Sequence, residues 1–446
     1  MKKKALALLM VTAMATSMLY GCGSSGSSSG SAAATDSAAA TDSAAATDSA
    51  AASTATESGP SSEPVGNDAI KVWVADAVVD FTKEKCAEFQ KENPDYANFK
   101  IIVEAVGEGD AASNMITDVE AGADIFGFAQ DQIARLVKAG ALETVNPDMI
   151  DAVRSENDEG AVKAATVGSE MYAYPMTSDN GYFLYYDKSV VTDPTSLEKI
   201  VEDCKNAGKN FYMEINSGWY QTAFFFGTGC QLTYDTDDTG AFTACNVDYA
   251  SDKGLVALKE MVELAESGAF TNGSAVGEAT NLGAIVDGTW DSSAAKELLG
   301  DNYACAKLPS FTGSDGQTYQ MSGFGGFKLL GVKPQTDEKK LAACDALAYY
   351  LAGEEVQIAR YDAVGWGPSN LKAQQSDAVK ADEALTALAE QLAYTIPQGQ
   401  YPDGYWQLGT SLGDSIISGE IKSSLSDEEL MAKLQNFQDT CMTYAK

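Results

Sequence analysis

The chain has 446 residues, 64 acidic against 30 basic, a formal net charge of −34, and no histidine. So acidic a surface repels nucleic-acid phosphates. Without histidine, Ser-His-Asp and Cys-His catalysis and the usual zinc sites are excluded, and carboxylate-pair chemistry is the enzymatic route left open.

Lys2, Lys3 and Lys4 precede an apolar run from Ala5 to Leu19. A cationic start, a short apolar core and a small residue before the cut describe a secretory signal, too short for a stable membrane span. Ending on Gly21-Cys22, residues 1–21 resemble a bacterial lipoprotein signal. That resemblance implies a lipid on Cys22 and an anchor at the outer face of the cytoplasmic membrane, as on a Gram-positive cell surface. Residues 22–68 are almost entirely Ser, Gly, Ala, Thr and Asp, with Ser-Ala-Ala-Ala-Thr-Asp repeated at 31–36, 37–42 and 43–48. No core can form from these, so the segment is predicted to be a disordered tether spanning roughly 35–40 Å on average. Gly26–Gly30 matches G-x-S-x-G, but low-complexity sequence cannot build the strained elbow that motif needs. The only Gly-Lys pair, Gly208-Lys209, precedes Asn210, so no phosphate-binding loop of an ATPase is present.

The globular part starts near Ile70 and is too long for one ordinary core, so two lobes are expected. Ile70–Val74 reads as a strand, Phe81–Lys91 as a helix and Phe99–Val106 as a strand. A helix over Ala111–Ala121, a buried strand at Asp124–Phe128 and a helix over Gln132–Ala139 follow. Alternation of this kind predicts an α/β fold with mostly parallel sheets. Further strands are predicted at Gly181–Tyr186, Ala284–Val286 and Phe324–Val332, and helices at Ser251–Ser267, Thr336–Ala352, Asp382–Ala393 and Asp427–Tyr444.

Besides Cys22 there are seven cysteines, an odd number that forbids a complete internal disulfide framework. Cys204, Cys344 and Cys441 follow apolar residues at helical spacing and read as core. Cys230 and Cys245 are symmetric about the turn 235–240, so a hairpin would bring them opposite one another; a disulfide and a pair of free thiols both stay open. The acidic turn resembles a calcium loop only loosely, since Asn246 stands where the bidentate acid belongs, and no metal or cofactor is expected.

Aromatic residues recur at loop-like positions beside carboxylates. Asp131 opens a helix, Tyr174-Pro175 precedes Asp179, Trp219 and Tyr220 are adjacent, Trp290 ends a strand, and Tyr405-Trp406 follow a Pro-rich stretch. Sugars call for this pairing: C–H faces pack on aromatic rings, and rim hydroxyls donate to carboxylates. Three stretches carry a wider likeness: 124–131 with 136–142, 173–175 with 184–188, and 284–290 with 307–311. In their order and spacing, the region from Ile70 to Lys446 resembles the extracellular solute-binding proteins of bacterial ABC importers, in the branch that binds maltose and maltodextrins.

The resemblance implies two hinged lobes of the periplasmic-binding-protein type, 69–177 with 324–374 (N-lobe) and 178–323 with 375–446 (C-lobe), and crossovers near Ser178, Gly323 and 372–378. The ligand would lie between them. By the same likeness, Asp131 and Asp179 would bind sugar hydroxyls, and Tyr220, Trp290 and Trp406, with Trp219 and Tyr405 beside them, would stack. Phe128 would stand where such binders often carry Trp, and Asp76 and Asp110 would add N-lobe contacts. Departures are Ala77 or Val78, Gln132 and Gly218, where the family often carries charged contacts. The implied role is that of a non-enzymatic, monomeric receptor that takes malto-oligosaccharides to an ABC permease and touches the membrane only through its lipid. Xylo-, fructo- or galacto-oligosaccharides are alternative ligands, and a glycosidase using carboxylates such as Asp131 and Asp179 is the alternative class.

Overall fold

The computed structural model describes residues 63–237 and 240–445. The expected signal segment, Cys22, most of the 22–68 tether and Thr239 of the acidic turn lie outside the described residues. Among the described residues no helix is long and apolar enough to cross a membrane.

Each lobe is built on a five-stranded sheet. In the N-lobe the strand order is Lys100–Ala105, Ala69–Val74, Ile125–Ala129, Lys328–Val332, Ala173–Thr177. The first three are parallel. Ala69–Val74 (AIKVWV) is buried at every position, as a central strand covered on both faces must be. Lys328–Val332 runs antiparallel to both neighbours. This strand returns from the other lobe and enters the sheet from the opposite end. The C-lobe sheet has the order Phe270–Thr271, Asn210–Tyr212, Leu282–Gly288, Tyr182–Asp187, Tyr303–Ala306. Its incoming strand, Tyr182–Asp187, is likewise antiparallel to both neighbours. The expectation of mostly parallel sheets therefore fails at the strands that cross between lobes.

One apolar core fills the N-lobe, from Ile70 to Met176 and again from Leu329 to Trp366. Two more lie on either face of the C-lobe sheet, the larger reaching the terminal helix at Leu434, Phe437 and Cys441. Helix ends follow their caps. Ser426 and Glu429 form a reciprocal capping box at the start of Asp427–Thr443. The helix expected to reach Ala121 stops at Thr117, because Asp118 turns extended and its carboxylate accepts from the Ala121 amide at 3.0 Å. The strand expected over Phe324–Val332 is two pieces, Phe324–Gly325 and Lys328–Val332, broken where the chain changes lobes.

Three crossing segments lie side by side. The Ser178 amide donates to Gly367 O at 3.0 Å, and the Asn180 amide to Gly326 O at 3.1 Å. Thr177 also bridges Pro368. The stretch Gly367–Pro368 lies just ahead of the expected 372–378: Asn370 still bridges Asn157 and the Leu371 amide donates to Glu156 O on the N-lobe, and the chain then reaches the C-lobe sheet with the helix Glu383–Leu392. Gly323 has φ +141°, and a Cβ there would meet Tyr182 Oη at 2.5 Å, so only glycine fits this crossover.

The hairpin Leu232–Thr236/Phe242–Val247 corrects the counting that paired Cys230 with Cys245. A bulge sits between Phe242 and Ala244, Cys245 lies opposite Tyr234, and Leu232 pairs with Val247. Cys230 precedes the ladder, and both thiols are free. No group of three or more His, Cys, Asp or Glu side chains among the described residues could hold a metal.

Buried charge is concentrated at the N-terminal end of the N-lobe strands. Asp124, fully buried, accepts from Lys340 Nζ at 2.9 Å, the Lys71 amide at 2.8 Å and Gln335 Nε2 at 3.0 Å, with Lys333 Nζ 3.6 Å away. Lys71 Nζ donates to Glu63 O at 2.8 Å and Ala121 O at 2.9 Å, and Lys340 Nζ reaches Gly66 O at 3.4 Å. Removing Asp124 takes the counter-charge from the buried Lys340 and from Lys333 beside it. Asp124→Ala is expected to cost about 3–5 kcal/mol, read as a lower urea midpoint at unchanged slope.

Glu260, 7% exposed on the helix Asp252–Glu266, has its pKa pushed up to about 8 by burial, with Glu263 and Glu198 adding to the effect. Its folded pKa lies above the unfolded one, so its stabilising contribution is complete below about pH 4 and is lost as the pH rises through 8. Glu260→Gln should therefore melt higher than the parent at pH 9 and together with it near pH 4.

Candidate ligand-binding cleft

On the N-lobe side, the strand Ile125–Ala129 runs into a 3-10 turn, Gln130–Gln132. That turn places Gln130, Asp131 and Gln132 at the lobe boundary, all less than a tenth exposed. The C-lobe segment 398–403 lies directly on it. Gln400 Nε2 donates to Gln130 O at 2.9 Å, and Gln400 Oε1 accepts from the Ala134 amide at 3.0 Å. Gln130 Nε2 donates to Gln398 O, and Arg135 pairs with Asp403.

The C-lobe answers with aromatic rings. Leu282–Gly288 ends in the 3-10 turn Thr289–Asp291, which carries Trp290 half-buried. Trp219 lies 5.9 Å from Trp290, 5.0 Å from Tyr220 and 4.6 Å from Tyr182 between ring centroids. Its indole N–H donates to Gln398 Oε1 at 3.1 Å, which fixes the ring. Trp406 is also half-buried, 5.4 Å from Tyr401 and 4.8 Å from Tyr405. Lys328 Nζ stands 5.4 Å from the Trp290 ring and 3.8 Å from that of Trp366, bringing an N-lobe cation onto a C-lobe aromatic.

Two carboxylates are deeply buried at the boundary. Asp179, 2% exposed on the first crossover, accepts through Oδ2 from Thr289 Oγ1 at 2.6 Å and from the Gly367 amide at 2.5 Å. Asp287, fully buried, accepts through Oδ1 from the Gly288 amide at 2.7 Å and from Tyr220 Oη at 3.5 Å. Burial, with Asp291 nearby, holds its carboxyl well above the usual range. Asp179 Oδ1, Asp287 Oδ2, Glu108 Oε1, Gln130 Oε1 and Gln132 Oε1 are buried without a hydrogen-bond partner. Buried polar atoms are rarely left this way: at the lobe boundary the open oxygens of Asp179, Gln130 and Gln132 await a donor, while the protonated Asp287 carboxyl can donate through Oδ2.

The expected site residues divide. Asp131, Asp179, Trp219 and Trp290 lie along the lobe boundary, while Tyr220, 5% exposed, and the half-buried Trp406 pack on the C-lobe core beside it. Phe128 does not serve as a platform: its ring is fully buried, 5.6 Å from Phe126, in the N-lobe core. Tyr405 is likewise core, 1% exposed on the first turn of the helix Asp403–Ile417, with its hydroxyl on Gly218 O at 2.7 Å. Asp76 and Asp110 are exposed in turns that follow the N-lobe strands Ala69–Val74 and Lys100–Ala105. Glu108, Asp287, Lys328, Trp366 and the glutamines 130, 398 and 400 went unread. Asp287 lay inside a stretch already singled out, three residues before Trp290, and that adjacency was its only signal.

Comparison with known proteins agrees with this geometry. Residues 84–387 match the family of bacterial extracellular solute-binding proteins. The maltotriose-binding protein of Pyrococcus abyssi (strain GE5 / Orsay) is 21% identical over 339 residues, 71% of this chain and 70% of that protein. Among solved structures, the ligand-free maltodextrin-binding protein of L. casei BL23 is 25% identical with a TM-score of 0.69, covering 84% of this chain and 98% of that one. The Thermus thermophilus maltotriose-binding protein bound with maltotriose shares the fold at 18% identity and a TM-score of 0.68, covering 83% and 99%. A protein solved with acarbose is 26% identical with a TM-score of 0.74, covering 85% and 99%. Two crossover-linked α/β lobes with an aromatic and carboxylate boundary between them, and a family match over most of the globular region, place this chain in the bacterial extracellular solute-binding protein family.

Proposed function

We propose that this chain is the receptor of a carbohydrate ABC importer, binding malto-oligosaccharides between its lobes by hinge closure and handing them to a membrane permease. Cys22 would carry a lipid anchoring it outside the cytoplasmic membrane. One observation carries the reading: the Trp219–Tyr220–Trp290 cluster of the C-lobe stands at the same boundary as buried carboxylate and amide oxygens that lack partners. Aromatic rings suit the C–H face of a glucose unit, and unpartnered polar atoms suit its hydroxyls. The relatives that bind maltotriose and maltodextrin add to it. A hydrolytic role has no such support. Asp179 is committed through Oδ2 to Thr289 and to a backbone amide, which suits a fixed acceptor better than a proton-shuttling acid.

Calorimetric titration with maltotriose, xylotriose and raffinose tests the proposal. Maltotriose alone should give heat, and Trp290→Ala should weaken it at least tenfold, about 1.4 kcal/mol. Binding of another sugar instead would remove the malto-oligosaccharide assignment. Steady release of reducing ends from maltohexaose would remove the receptor role.

A further inference from the structure

Beside Trp290 the boundary carries a corner of unused donors that the family likeness did not assign. Lys328 opens the strand Lys328–Val332, between Ala129 and Thr177 at the boundary end of the N-lobe sheet. It is buried, and its Nζ stands 3.8 Å from the centroid of the Trp366 ring and 5.4 Å from that of Trp290. Among the described residues that ammonium has no hydrogen bond and no ion pair. The ring faces offset part of its lost hydration, but they leave its N–H bonds without an acceptor.

Two more polar groups adjoin it. Thr177 stands directly across the sheet from Lys328, so both side chains leave by the same face. Trp366 is held close by its neighbours: Thr177 bridges Pro368, and the Ser178 amide donates to Gly367 O at 3.0 Å. Thr177 Oγ1 and Trp366 Nε1 are both buried and without a partner. An ammonium and an indole N–H can only donate, and a threonine hydroxyl can donate as well as accept. This corner therefore wants acceptors, whereas the neighbouring turn Gln130–Gln132 wants donors. A buried ammonium in such surroundings is costly until a lone pair reaches it.

Resting on the oligosaccharide reading above, we propose that Lys328, with Trp366 beside it, donates to one rim hydroxyl oxygen of the sugar unit held at Trp290, so that Lys328 is a specificity-determining residue. It reads that oxygen as an acceptor. A hydroxyl facing the open oxygens of Gln130 and Gln132 is read as a donor instead. Fluorine tells the two modes apart, since it takes the place of a hydroxyl, accepts weakly and cannot donate. The rival filling is water, in which case Lys328 is only a cation packed between rings.

The test is calorimetry of the whole protein with maltotriose and its monodeoxy and monodeoxyfluoro analogues, on wild type, Lys328→Met and Trp366→Phe. Methionine keeps an unbranched stem without the charge, and phenylalanine keeps a ring without the N–H should the first variant fail to fold. Wild type should bind one monodeoxy analogue at least about tenfold more weakly than maltotriose, as loss of a hydrogen bond to a charged group implies, and the fluoro analogue at that position should recover to within about threefold. The tenfold gap should shrink to about twofold in Lys328→Met and to about fivefold in Trp366→Phe. If no fluoro analogue recovers binding, or the gap is unchanged in every variant that folds, the proposal falls. Failure of the function reading looks different: wild type would then bind none of maltotriose, xylotriose and raffinose. Should it bind one of the latter two, the same variants are read with that sugar's deoxy and deoxyfluoro forms.

Discussion

Asp179 holds three separated stretches of chain together, and the arrangement of the lobes depends on it. The residue sits on the first crossover, accepts from Thr289 in the turn that carries Trp290, and accepts from Gly367, just ahead of the third crossover. A buried carboxylate is tolerable only when such donors compensate its lost hydration. Space enforces the same contact, since a Cβ on Gly367 would stand 2.8 Å from the Asp179 Cβ. Hinge position, the placing of Trp290 and the direction of the free Oδ1 are thus set by one side chain.

Closure in this family is a shift between open and closed populations, and its energetics depend on contacts that exist only when the lobes meet. Across the lobe boundary of this chain run the two hydrogen bonds of Gln400, the Arg135–Asp403 pair and the approach of Lys328 to Trp290. On the function proposed above, a ligand would add to these by pairing polar atoms that are buried and unpaired at the same boundary.

Much of this was legible from sequence, and the exceptions have physical causes. Buried β-branched runs such as Ile70–Val74 and the caps at Ser426 and Asp337 are local signals, so strands and helices could be read to within a few residues. Sheet direction was not local: Lys328–Val332 and Tyr182–Asp187 are antiparallel because of where the chain has come from. The aromatics were legible as a set but not one by one. Phe128 and Tyr405 have the same chemistry as Trp290, and only the facing of a strand and the register of a helix send them into the core. The hairpin cysteines failed for a related reason, a single bulge that no symmetric count can anticipate. Asp287 and Lys328 were invisible because buried charge carries no sequence signature apart from its partners.

The lysines around Asp124 bear on how the protein carries load. Lys71 and Lys340 grip the carbonyls of Glu63 and Gly66, at the end of the strands away from the lobe boundary. The strand Ile125–Ala129 that separates the two ends is five residues long, about 17 Å at ordinary strand rise. Tension entering the domain at Glu63 passes first into these buried contacts and the N-lobe sheet. On the receptor reading proposed above, a pull at this end would be taken up by the N-lobe before it reaches the boundary where a ligand would sit.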